Sequence, residues 1–197
     1  GLSYDVVSSI VEDQFGKIFI GTEGGGINFL NPKNGKISHL KATGKPAALS
    51  SNNIKALYLE SGKNLWIGTL NTGIDVFDTE SGTFKAHFDK DLGLSHNSVY
   101  AILKENDTLF WVGTFGGGLH LLNTHSKTSE NNLYDPADAG RLRDNEVRLL
   151  CKDAAGNLWV VSRYGLNKVP ARKIGDPNYI FERLFYNEPK TSRADVL

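Results

Sequence analysis

The chain has no methionine, one cysteine and no excess of charge of either sign. A single cysteine, Cys151 in the run Leu149, Leu150, Cys151, excludes an intrachain disulfide, and its aliphatic setting predicts a small buried hydrophobe. That scarcity does not fix the compartment, because a chain of 197 residues can be stable without cross-links. The 22 basic residues are offset by 22 acidic ones and neither forms a run, so the sequence carries no electrostatic footprint for nucleic acid or an anionic membrane. No apolar stretch approaches the ~18 residues of a membrane span, and no basic-then-apolar leader opens the chain. With no methionine and a start at a repeat boundary, the chain is expected to be a piece of something longer that carries any targeting or membrane segment elsewhere. A helical period is also missing throughout.

What is present is repetition. The pentapeptide Leu65, Trp66, Ile67, Gly68, Thr69 recurs at Ile18 to Thr22, at Phe110 to Thr114 and, in a worn form, at Leu158 to Ser162. Its aromatic residues Phe19, Trp66, Trp111 and Trp159 stand 47, 45 and 48 residues apart. Other positions keep the same beat: Leu2, Leu49, Leu94 and Leu142; Asp5, Asn52, Asn97 and Asn145; Val7, Ile54, Val99 and Val147; Ile10, Leu57, Ile102 and Leu150; Asp13, Glu60, Glu105 and Asp153. Downstream, Gly26, Gly73, Gly118 and Gly165 each precede an aliphatic residue. The chain therefore divides into four tandem units, roughly 1–47, 48–92, 93–140 and 141–190, within one segment covering 1–197.

Each unit reads as four short strands. In the first, Val6 to Val11, Lys17 to Thr22, Gly26 to Leu30 and Lys36 to Lys41 are separated by the turns Asp13-Gln14-Phe15-Gly16 and Asn31 to Gly35. The second strand is apolar on both faces and needs a covering layer on each side. The fourth alternates weakly and reads as a half-wet edge. Glycines 21, 68 and 113 inside a strand mark close backbone approach. Crossover helices have no room, so the expected fold is all-β: β-propeller blades in four tandem four-stranded antiparallel repeats. A blade must be covered on both faces, which leaves a four-bladed ring, a fragment of a larger ring or two chains completing one ring. A fragment of a larger, about seven-bladed ring is favoured, with self-association or a homodimer expected in isolation. Unit four departs from the pattern, with Val161 for glycine, Ser162 for threonine and an irregular stretch from Lys168 to Pro177, which reads as an end effect.

The units "GLSHNSVYAILKENDTLFWVGTFGGGLHLLN" and "ALSSNNIKALYLESGKNLWIGTLNTGIDVFD" resemble the two-component regulator propeller repeat, and the resemblance extends to about residue 170. It implies the periplasmic sensor region of a hybrid two-component histidine kinase that detects glycan-derived oligosaccharides. It also implies further blades of the same parent chain as partners, and a sensor fold with no catalytic residues to carry over.

Residues required in every unit are most simply required by the fold. Asn52, Asn97 and Asn145 are expected to cap turns by bonding their own backbone, and the tryptophans to be core. The run Gly21 to Gly26 lacks the lysine and the helix of a phosphate loop. Histidines 39, 87, 96, 120 and 125 have no zinc-like spacing, and neither a metal nor a cofactor is expected. The candidate recognition residues are those that vary where the turn recurs: Glu23, Asn71, Phe115, Arg163 and Tyr164, on one rim of the propeller. Arg163 and Tyr164 offer a donor fork beside an aromatic face, suited to a polar or anionic sugar. A non-enzymatic sensing segment is the leading reading. A propeller lyase or hydrolase, or a purely architectural interaction module, are the alternatives.

Overall fold

The computed structural model describes residues 1–174 and 179–184, which form four four-stranded antiparallel sheets. Blade 1 comprises β1 (Val7–Glu12), β2 (Ile18–Thr22), β3 (Gly26–Asn31) and β4 (Lys36–Leu40). Blade 2 comprises β5 (Ile54–Glu60), β6 (Asn64–Thr69), β7 (Ile74–Asp78) and β8 (Thr83–Phe88). Blade 3 comprises β9 (Val99–Lys104), β10 (Leu109–Thr114), β11 (Leu119–Asn123) and β12 (Thr128–Asn132). Blade 4 comprises β13 (Val147–Lys152), β14 (Leu158–Ser162), β15 (Gly165–Val169) and β16 (Glu182–Leu184). Every blade is a meander in chain order, and β1, β5, β9 and β13 lie side by side in succession around a common axis. This is the β-propeller that the repeats predict. Of the irregular stretch expected from Lys168 to Pro177, residues 175–177 lie outside the described residues.

The core sits between blades. At the first interface Phe19, Ile27 and Leu49 pack with Ile54, Leu57 and Leu65; the second and third interfaces repeat the arrangement around Trp66 and Trp111. The leucine opening each repeat is an interface plug: Leu49, Leu94 and Leu142 are buried, whereas Leu2, which no described blade covers, is exposed. Ile10 shows the same contrast, at 60% exposure against 8% for each of its equivalents Leu57, Ile102 and Leu150. At the other end Leu149 is exposed where Ala56 and Ala101 are covered. Cys151 is exposed as well, contrary to the buried position expected for it. It occupies the position of Tyr58 and Leu103, which the following blade covers. Among the described residues the four sheets thus form an arc whose two end faces are uncovered.

Two further devices recur at the interfaces. A Cβ placed on Gly21, Gly68 or Gly113 would lie 2.7, 2.9 or 2.5 Å from a methyl of Ile54, Val99 or Val147 of the next blade, so the glycines set the blade spacing. The repeated carboxylate accepts the indole N–H six residues on: Trp66 Nε1 to Glu60 at 3.3 Å, Trp111 Nε1 to Glu105 at 2.6 Å and Trp159 Nε1 to Asp153 at 2.9 Å. From the next blade, Lys104 pairs with Glu60 and Lys152 with Glu105, each at 2.8 Å. Burial opposes the charge on Glu60, but hydrogen bonds from Lys104, Asn64 and Trp66 outweigh it and hold the carboxyl below its ordinary value.

The repeated asparagines do not cap their own turns. Asn52, Asn97 and Asn145 reach back and accept hydrogen bonds from the backbone N–H of Ala42, Lys90 and Tyr134, in the connections arriving from the preceding blade. Their carbonyls accept from Gly26, Gly73 and Gly118 of that blade. Each asparagine is therefore a clamp between blades.

Next to them lies a buried polar position in the third strand, occupied by Asn28, Asp75, His120 and Asn167. Asn28, Asp75 and Asn167 accept from the backbone N–H of Ser3, Ser50 and Arg143, while the ring of His120 sits between the hydroxyls of Ser95 and Ser129. Burial pushes the His120 pKa down to about 4. A depressed folded-state pKa gives stability that is complete above the unfolded value of about 6.5 and is lost as pH falls towards the folded value. At pH 5 the loss is about 2 kcal/mol. His87 acts in the opposite sense. Its hydrogen bond to Asp75 raises its pKa, so its contribution is complete below about 6.5 and is lost as pH rises through the raised value. Substituting His120→Asn, the residue already used in blades 1 and 4, is expected to remove most of the destabilisation between pH 6.5 and 5. Urea unfolding at a series of pH values checks it, and an unchanged pH slope refutes it.

Candidate functional site

In every blade the first and second strands slip register by one residue: between Val7 and Ser9, Ile54 and Ala56, Val99 and Ala101, and Val147 and Leu149. The skipped residues are Ser8, Lys55, Tyr100 and Arg148. A bulge of this kind turns a side chain away from the sheet's ordinary alternation. All four residues line one cavity of about 490 Å³ on the axis, bounded by the innermost strands of the four blades. The fold supplies the same position four times, and the sequence fills it with a hydroxyl, an ammonium, a phenol and a guanidinium.

Of the candidate rim residues, Glu23 lines this cavity, and Phe115 and Arg163 sit at its mouth in the sense that each contacts a lining residue or its partner. Glu23 lines it and binds Lys55 at 2.8 Å, and the ammonium lies 5.4 Å from the ring centre of Tyr100. The Tyr100 ring in turn stacks on Phe115, 5.3 Å between centroids. Across the mouth, Glu146 accepts from Arg163 at 3.1 Å and from Arg148 at 3.2 Å, and the Arg163 guanidinium lies over the Tyr164 ring at 4.9 Å. The backbone N–H groups of Glu23, Leu70, Phe115 and Arg163 donate in turn to the carbonyls of Val6, Asn53, Ser98 and Glu146, which places all four rim residues alike. Asn71 does not join the cluster. It adopts a left-handed backbone conformation with φ 70°, and its side chain accepts from Ser98 Oγ at 2.8 Å, tying blade 2 to blade 3.

Of the five candidates, Glu23 lines the cavity, Phe115 stacks on the lining residue Tyr100, Arg163 shares Glu146 with the lining residue Arg148, Tyr164 touches only the Arg163 guanidinium, and Asn71 serves a turn. The bulged residues and Glu146 were missed. Their signal was readable: Ser8, Lys55, Tyr100 and Arg148 are idiosyncratic residues directly after a β-branched position, Val7, Ile54, Val99 and Val147, that holds its type in all units. A strict period-two reading of the strand hides it, because the bulge changes which face they occupy. The mouth carries three cations against two carboxylates, with three aromatic faces between them. Such a set can hold a polar ligand with ring faces and at least one anionic group.

Comparison with known families matches four stretches, residues 1–24, 48–71, 93–116 and 141–164, to the repeat described as "Two component regulator propeller". The chain belongs to the two component regulator propeller family. In each repeat the matched stretch runs from the interface leucine through the first two strands to the rim, so it covers both the blade spacing and the channel mouth. Among relatives, Histidine kinase P4 of Formosa agariphila is 32% identical over 199 residues, covering 100% of this chain and 14% of that protein. Two solved extracellular domains of assigned two component systems from B. thetaiotaomicron share the fold. One gives a TM-score of 0.76 at 23% identity, over 88% of this chain and 23% of that one. The other gives 0.72 at 21% identity, over 94% and 25%. Virginiamycin B lyase from Staphylococcus aureus also shares it, with a TM-score of 0.65 at 20% identity over 92% of this chain and 56% of the lyase. The propeller repeats described here span a small part of the histidine kinase, and a quarter or less of the two extracellular domains.

Proposed function

We propose that this segment belongs to the sensor region of a two-component receptor outside the inner membrane, and that its channel mouth recognises an oligosaccharide bearing an acidic group. The observation that carries this is the bulge repeated in all four blades, which aims chemically different side chains at one axial cavity while Ile54, Val99 and Val147 just before it pack on the glycine of the preceding blade. Lys55, Arg148 and Arg163 would meet a carboxylate or sulfate, and Tyr100, Phe115 and Tyr164 the faces of sugar rings. Family membership and the relatives' names support the receptor setting; the ligand class follows from the side chains at the mouth together with the family resemblance.

A catalytic reading is less well supported. The two carboxylates at the mouth are each held by cations, Glu23 by Lys55 and Glu146 by Arg148 and Arg163. The likeness to virginiamycin B lyase concerns the fold.

Calorimetry of the whole sensor region against neutral and acidic oligosaccharides tests the proposal. Arg163→Ala and Tyr100→Ala are each expected to weaken binding about tenfold or more, with the arginine effect confined to acidic ligands. Binding that is unaffected by both, or signalling that survives Arg163→Ala and Tyr164→Ala in the full receptor, moves recognition elsewhere and leaves these blades an architectural role.

A further inference from the structure

The two uncovered end faces differ in their chemistry, and the three internal interfaces supply the rule by which to read them. In each internal interface the leading blade offers a glycine in its second strand, and the following blade answers with a β-branched residue: Gly21 with Ile54, Gly68 with Val99, Gly113 with Val147. At the second and third interfaces the leading blade also offers a carboxylate that holds its own tryptophan, and the following blade answers with a lysine: Glu60 with Lys104, Glu105 with Lys152.

The leading face of blade 4 keeps half of this code and changes the other half. Trp159 donates to Asp153, and hydrogen bonds from Asn157 and then Trp159 hold that carboxyl down at about 2, so it is an anion at any ordinary pH. No ion pair to Asp153 is present among the described residues, whereas Glu60 and Glu105 each have a lysine from the next blade. Valine replaces glycine at 161, and Leu149 stands where Ala56 and Ala101 give room. The following face of blade 1 offers the wrong answers. Glu12 occupies the position of Lys104 and Lys152, and Val7 that of Val99 and Val147. Docked as the internal blades are docked, blade 1 would set Glu12 against Asp153, and Val7 against Val161, at a position where even a Cβ on the internal glycines would fall within 3 Å of the next blade.

We propose that the exposed face of blade 4 is the docking surface for a further blade with two particular features. It carries a lysine or arginine at the position matching Lys104 and Lys152, and a small residue at the position matching Val99 and Val147. Blade 1 is not that partner. Neither a four-bladed ring nor a head-to-tail dimer of this chain in the repeat geometry satisfies the code. The self-association expected from two open ends is therefore disfavoured by charge and by volume at this contact.

The test rewrites the code on the chain itself. Glu12→Lys supplies the missing cation and Val161→Gly restores the missing space. The double variant is expected to self-associate at least tenfold more tightly than the natural chain in sedimentation velocity, with the Glu12→Lys part weakened by salt and by adding Asp153→Asn. Circular dichroism and thermal unfolding establish that the variants are folded. Glu12→Lys alone, an exposed substitution with little bearing on folding, is expected to give roughly threefold and keeps the test valid if Val161→Gly misfolds. A natural chain that already associates head-to-tail and is dissociated by Asp153→Asn overturns the proposal. So does self-association that neither substitution changes.

Discussion

Gly113→Ala is expected to lower the unfolding free energy by about 3 kcal/mol, at the upper end of what a single added methyl costs in a packed interior. The new Cβ would stand 2.5 Å from a Val147 methyl and 3.2 Å from the Ala101 Cβ, between blades 3 and 4. Because the nearest obstacle is a side chain, Val147→Ala in the same chain should recover part of the loss, with a coupling of about 1–2 kcal/mol. Gly68→Ala costs as much but behaves differently. There the obstacle includes the Val99 carbonyl oxygen at 2.8 Å, which truncating Val99 does not remove. Its coupling with Val99→Ala should be clearly smaller than that of the 113/147 pair. Urea unfolding of the two double-mutant cycles measures both terms, and equal couplings would show that the backbone does not set the spacing at Gly68.

The glycines illustrate how much of this molecule is legible in the sequence. Their recurrence at 21, 68 and 113 inside an apolar strand announces close approach, and the period of the tryptophans announces blades; both readings hold. What approaches each glycine could not be read, because the partner lies some thirty residues on in another repeat. The asparagine clamp misled for the same reason. Asn52, Asn97 and Asn145 have the chemistry of a local cap, and only the folded chain shows that the amide reaches 7 to 11 residues back into the preceding connection. At the candidate site, the rim was visible as variation at Glu23, Phe115 and Arg163. The bulged positions stayed hidden because one unpaired residue reverses the in-and-out alternation that strand reading assumes. Cys151 was misread through context. Its neighbours are aliphatic, but it lies on the face that no described blade covers.

Trp111→Ala should be among the most damaging single substitutions in the chain, costing about 4 kcal/mol, while the same change at Trp159 costs under about 1.5. The two indoles occupy one position of the repeat and each donates to the acid six residues before it. They differ in what lies opposite. Trp111 is fully buried against blade 4 and meets the Tyr179 ring edge-on at 5.9 Å. Removing it opens a cavity and takes a hydrogen bond from Glu105, whose carboxylate is left with Lys152 in a mostly covered site. Trp159 stands on the end face with the Lys168 ammonium 5.6 Å from its ring, so solvent fills the space it leaves. Trp111→Phe should fall between them at about 1–2 kcal/mol, because blade 1 already uses Phe19 there. In that blade Asp13, with no indole to hold, accepts from the backbone N–H of Phe15 and Lys17 instead. Equilibrium unfolding of the three variants at two protein concentrations separates the terms. If Trp159→Ala costs as much as Trp111→Ala, and only at the higher concentration, a second copy covers the blade 4 face in solution and the end is not wet.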